Sequence, residues 1–190
     1  MTGARTKSIA ARLAIAACAA LLSACGTLVN VSSDGEDQDL MLRGHDPVAY
    51  FKEGKPVMGL PAIKARVDGV TYRFASEDNR KAFVAEPKKY APQYGGFCSN
   101  GTPYAIKAGG NPANFKIAEG RLFIFGDAKA LEFWELGWKK NIERADFYWE
   151  NEMKDMPWRL QSYKRWVFRV PHYKTGRELQ AEIDAKKGKS

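Results

Sequence analysis

Ile63, Ala65 and Val67 alternate with charged residues, Val70, Tyr72 and Phe74 alternate again, and only Asp68-Gly69 separates the two runs. Period-two alternation marks a strand with one buried face, and an Asp-Gly pair supplies the positive φ that a tight antiparallel turn needs. A second hairpin is predicted at Phe115–Ile117 and Leu122–Phe125, turned at Glu119-Gly120. Between the hairpins, Ser76 has the place of an N-cap, with Glu77 and Asp78 complementing the positive end of a short helix. Ala82 and Phe83 form its inner face and Pro87 stops it. Farther on, Leu131, Trp134, Trp138, Ile142, Ala145, Trp149 and Met153 recur every three or four residues, which predicts one long helix from about Asp127 to Asp155. An aromatic stripe at that spacing reads as core. The fold class expected is α+β: a small antiparallel sheet with hairpins packed against helices, one long C-terminal helix, and a basic aromatic tail.

The N-terminus carries a different message. Arg5, Lys7 and Arg12 precede an apolar stretch from Leu13 to Leu22, with no acidic residue before Asp34. That stretch is too short to span a bilayer core, which takes about 20 residues, and reads as a secretion signal. Leu22-Ser23-Ala24-Cys25 resembles the lipobox of bacterial lipoproteins. The resemblance implies removal of residues 1–24 and acylation of Cys25, with the membrane as partner through the lipid anchor. Cys18, after Ile15-Ala16-Ala17, is a weaker candidate because Arg12 would fall inside its apolar region. Gly26 after the cysteine resembles the pattern that favours an outer over an inner membrane, with the domain facing the periplasm.

Removing the signal leaves 166 of the 190 residues, enough for one domain with a real core. The formal charge of +8 is unevenly placed. The signal carries +3, residues 156–190 hold nine Lys/Arg against three Asp/Glu, and residues 25–155 sum to −1. Residues 25–39, with the polar run VSSDGEDQD, read as a flexible tether to a domain over 40–155. In the 156–190 extension, Trp158, Tyr163, Trp166 and Phe168 interleave with Arg159, Lys164, Arg165 and Arg169. Such a segment either lies on an anionic membrane surface or packs its rings on the domain while its charges reach water, and Pro157 and Pro171 favour packing. Nucleic acid is not an expected partner of a secreted lipoprotein.

If Cys25 is acylated, Cys98 is the only thiol of the mature chain, and no intrachain disulfide can form. One cysteine and two histidines, His45 and His172, do not make a zinc cluster without carboxylates. A nearby cation such as Lys107 or Arg121 would lower the pKa of Cys98 toward a reactive thiolate.

Asp46-Pro47-Val48-Ala49-Tyr50-Phe51, then Gly54-Lys55, Tyr72 through Ser76, Asn79-Arg80, Phe83, Pro87 and the run Tyr90 to Cys98 form an ordered series. With the later LFIF strand, this series resembles the stand-alone bacterial YHS-domain proteins over roughly residues 40–150. YHS domains at large resemble small metal-binding modules whose cysteines supply ligands. Here Ala49 and Ala75-Ser76-Glu77 stand where metal-type members have cysteines, so tight zinc binding by one chain is not expected. Some stand-alone relatives are selenoproteins, and the resemblance matches Cys98 to the selenocysteine position.

Three function classes follow. In one, Cys98 is a redox thiol or one ligand of a weak or shared transition metal ion, with His45, Asp46 or a partner's side chains as further donors. In the second, the domain is a non-catalytic binding module that docks an envelope protein partner. In the third, it is a structural envelope lipoprotein with an inert, buried cysteine.

Overall fold

The computed structural model describes residues 26–168 and 176–188. The signal segment, the lipidation candidates Cys25 and Cys18, and His172 lie outside the described residues. The architecture is α+β, with a four-stranded sheet, a separate two-stranded sheet and helices packed around both.

In the four-stranded sheet, β1 (Val31–Asp34) and β2 (Asp37–Met41) form a hairpin, and β3 (Leu60–Val67) and β4 (Val70–Phe74) form another. The order is β1-β2-β4-β3, with β2 and β4 parallel and the other pairs antiparallel. Val67 pairs with Val70 across the expected Asp68-Gly69 turn. The two-stranded sheet is β5 (Asn111–Ala118) with β6 (Arg121–Phe125), where Ala118 pairs with Arg121 across Glu119-Gly120 as expected.

The segment read as a flexible tether is instead the β1–β2 hairpin. Its acidic residues have a structural use: Arg73 on β4 is 5 % exposed, and its Nη1 donates to Asp34 at 2.6 Å while its Nε donates to Asp37 at 2.7 Å. Lys64 also binds Asp37, and together the two cations hold that carboxyl below its usual pKa. A buried guanidinium left unpaired would be costly, so the polarity that suggests a tether in fact docks one.

The helices are α1 (Ala49–Lys52), α2 (Glu77–Ala85), α3 (Pro87–Tyr90), α4 (Ala128–Glu135), α5 (Trp138–Tyr148), α6 (Trp158–Phe168) and α7 (Gly176–Lys187). Ser76 caps α2, its hydroxyl accepting from Asn79 N at 3.1 Å. The single long helix predicted over 127–155 is a correction. Asp127 caps α4, which ends at Glu135 with Leu136 as its C-cap; Gly137 departs from helical geometry, and α5 starts afresh before a π turn over Trp149–Met153. Glycine is disfavoured inside a helix by about 1 kcal/mol relative to alanine, and a period-based reading carries across a one-residue break.

β6 organises the core. All of Leu122, Phe123, Ile124 and Phe125 are at most 1 % exposed. Successive strand side chains point to opposite faces, and here each face has its own cluster. Leu122 and Ile124 join Met41, Tyr50, Phe74 and Phe83 on the side of the larger sheet and α2. Phe123 and Phe125 join Trp134, Ile142 and Ala145 on the side of α4 and α5. The stripe read as core is thus core for the second cluster, with Trp134 1 % exposed and Trp138 and Trp149 packed at its margin.

Candidate functional site

The segment from Pro92 to Cys98 runs along the free edge of β6, bridging at Pro92–Leu122 and Cys98–Ile124. On the way it makes a tight turn in which Tyr94, Gly95 and Gly96 all have positive φ. A Cβ on Gly95 would lie 2.8 Å from the Val29 side chain and one on Gly96 2.8 Å from the Met41 sulfur. The glycines therefore serve both the turn and the close approach of neighbouring chain.

This path puts Cys98 inside the second cluster, 6 % exposed. Its Sγ accepts a hydrogen bond from Gly126 N at 3.2 Å. Burial pushes the thiol pKa up; the amides of Gly126, Asn100 and Gly101 pull against that, and the Asp127 charge adds to it. A thiol in such a site stays protonated near neutrality and behaves as a small apolar side chain.

The cations expected to activate it are engaged elsewhere. Arg121 makes two bonds to Asp146, at 2.6 and 2.9 Å, and two to Gln93. Lys107 reaches the carbonyls of Leu28 and Met156 at 2.8 and 2.7 Å. Neither acts on the Cys98 thiol, and the charge nearest in effect, Asp127, is of the wrong sign.

The supporting metal donors are not assembled either. Among the described residues no three His, Cys, Asp or Glu side chains come together as a metal site. His45 Nδ1 binds the Leu42 carbonyl at 2.9 Å. Asp46 is fully buried and accepts from four donors: Val48 N and Ala75 N, both at 2.8 Å, Asn79 Nδ2 at 2.7 Å and Ala49 N at 3.4 Å. Asn79 in turn accepts from Lys52 at 2.9 Å. Asp46 and Asn79, far apart in sequence, are thus partners in one structural network, with no lone pair left for an ion.

Lys107, expected from the sequence only as a cation for Cys98, is instead the centre of a separate polar site. This lysine is 4 % exposed, yet its Nζ sits 4.9 Å from the Trp149 ring centre and 5.2 Å from that of Phe97. Its two carbonyl partners lie far apart in the chain, so it ties the segment just after Gly26 to the turn before α6. Beside it opens a cleft of about 380 Å³, whose lining includes Thr27, Asn30, Phe97, Lys107 and Trp158. Nothing in the local sequence marks Lys107 for this role; the one available hint is that it is a lone cation between apolar and small residues.

Desolvation lowers the Lys107 pKa to about 8 from 10.5, with Asp155 opposing the shift. A neutral amine keeps two N–H groups, enough for both carbonyls. The unfolded chain then holds one more proton than the folded chain between about pH 8 and 10.5, so this residue makes stability rise with pH in that window. Relative to Lys107→Met, the wild type is expected to gain stability across pH 8–10.5 and to show a constant difference below pH 7. Urea unfolding at fixed ionic strength reads this; a constant difference throughout would place the lysine's titration at its ordinary value.

No family model, curated protein or solved structure matches this chain.

Proposed function

We propose that this chain is an envelope lipoprotein, anchored through Cys25 at the outer membrane and facing the periplasm, whose YHS-like domain is a non-catalytic binding or structural module. The observation that carries this reading is the environment of Cys98: the only thiol of the mature chain is buried, raised in pKa and without a converging donor among the described residues. The basic start, short apolar run and Leu22-Ser23-Ala24-Cys25 motif support the anchor. Among the described residues no helix is long and apolar enough to cross a membrane, which is compatible with attachment by lipid.

A second reading, a redox or metal-handling thiol, is favoured by one observation, the backbone amides of Gly126, Asn100 and Gly101 directed at the sulfur. One pair of measurements separates the two. Palmitate labelling should be present in the wild type and absent in Cys25→Ala; labelling that persists would move the anchor to Cys18. Iodoacetamide should modify Cys98 only after unfolding, and metal titrations of wild type and Cys98→Ser should coincide. Rapid labelling of the folded protein near neutral pH, or metal binding lost in Cys98→Ser, would replace the binding-module reading with the thiol one.

A further inference from the structure

α6 is built inside out. Its buried residues are polar: Gln161 is fully buried, donating to the Ala105 carbonyl at 3.0 Å, and Arg165 is 8 % exposed, donating from Nε to the Tyr104 carbonyl at 3.0 Å. Its large apolar side chains face outward, with Leu160 41 %, Tyr163 59 %, Trp166 72 % and Val167 40 % exposed. At 3.6 residues per turn, 160, 163, 166 and 167 fall on the side opposite 161 and 165. A surface helix that hides its polar residues and displays aromatics marks an interaction surface.

The chain itself indicates what covers it. Trp158 N, at the start of α6, donates to the Thr27 carbonyl at 3.1 Å, and a Cβ on Gly26 would lie 2.5 Å from the Trp158 ring nitrogen. Lys107 closes the same junction through Leu28 and Met156. Cys25 is the next residue, and adjacent α-carbons are about 3.8 Å apart. Acyl chains on Cys25 would therefore bring the hydrocarbon boundary to the root of α6, with no flexible tether between anchor and domain. Residues 156–190 carry +6, the sign that anionic headgroups attract.

We propose that the outward face of α6 is a second membrane contact: Leu160, Tyr163, Trp166 and Val167 seat in the headgroup region of the anchoring bilayer and fix the orientation of the domain. Tyrosine and tryptophan suit that region because each pairs an apolar ring with a polar group. The proposal rests on the Cys25 anchor reading, and its test keeps the two apart.

The full processed protein is reconstituted in phosphatidylethanolamine–phosphatidylglycerol vesicles with and without brominated acyl chains, and its mass is read from the same preparation. Bromolipid should quench a component of the tryptophan emission that is missing in Trp166→Phe, and Tyr163→Ser with Val167→Ser should remove most of that quenching. These side chains are exposed, so the melting temperature should not change. Equal fractional quenching in wild type and Trp166→Phe would overturn the proposal and leave the face to a protein partner. If the mass shows no acyl chains, the anchor reading fails by itself. The helix face is then judged by co-sedimentation of the unacylated protein with the same vesicles. Binding that falls with salt and is lost in the double variant upholds it, and equal binding of both forms overturns it.

Discussion

Asp46→Ala should destabilise the domain by about 3–6 kcal/mol, enough to leave much of the protein unfolded at 37 °C. Three donors at 2.7–2.8 Å lose their acceptor in a fully buried site, and each such orphan costs about 1–3 kcal/mol. The loss reaches beyond one turn, because Asp46 holds the start of α1 through Val48 and the entry to α2 through Ala75 and Asn79. Asp46→Asn keeps one acceptor oxygen but turns an amide toward at least one donor, so an intermediate loss is expected. Urea unfolding followed by tryptophan fluorescence measures both. A loss below about 1 kcal/mol for the alanine variant would mean water replaces the carboxylate, and the network would not organise these helix starts.

Trp134→Ala should cost about 3–5 kcal/mol, the range for truncating a large buried aromatic side chain. Trp134 is 1 % exposed, with ring centres 5.2 Å from Phe123 and 5.3 Å from Phe125, so its removal hollows the second cluster against β6. Trp138→Ala should cost clearly less. From the helical stripe alone Trp138 would be expected to sit in the core, but the break at Gly137 leaves it partly buried at the cluster margin. Trp134→Phe should be milder than Trp134→Ala, since the indole N–H is buried with no hydrogen-bond partner and phenylalanine removes that orphan donor. Equal effects for Trp134→Ala and Trp138→Ala would indicate that α4 and α5 move as one continuous helix.

The local elements were legible because their causes are local. The Asp68-Gly69 and Glu119-Gly120 turns, the Ser76 cap and the stop at Pro87 each depend on a residue's own backbone preference or on a side chain reaching three residues along. Expectation and structure part where a distant partner decides. Asp34 and Asp37 resemble linker residues until Arg73 is placed against them. Tyr163 and Trp166, expected to pack on the domain, stay largely exposed, whereas Trp158 lies against Gly26, and Gln161 and Arg165 turn inward to two carbonyls of the 104–105 turn. No periodicity announces a buried glutamine, since its burial depends on acceptors about 60 residues away.

The candidate site divides in the same way. That Cys98 would be the lone thiol of a processed chain, and would follow a glycine turn, is written in the sequence. Whether that thiol meets a cation, a metal donor or apolar rings is a matter of which segments cross it. The pairing of the Pro92–Cys98 segment with β6 decided for rings and burial. Lys107 is the converse case: marked in the sequence only as a cation for Cys98, it becomes a buried link between the segment after Gly26 and the turn before α6 once they meet over it. The α+β class, the two hairpin turns, the capped helix and the distribution of charge follow from short-range sterics and composition. That β6 divides two cores, that Asp46 and Asn79 share a network, and that α6 displays its apolar face emerge only from long-range contacts. Each of those depends on desolvation and hydrogen bonding between groups that the chain brings together only by folding.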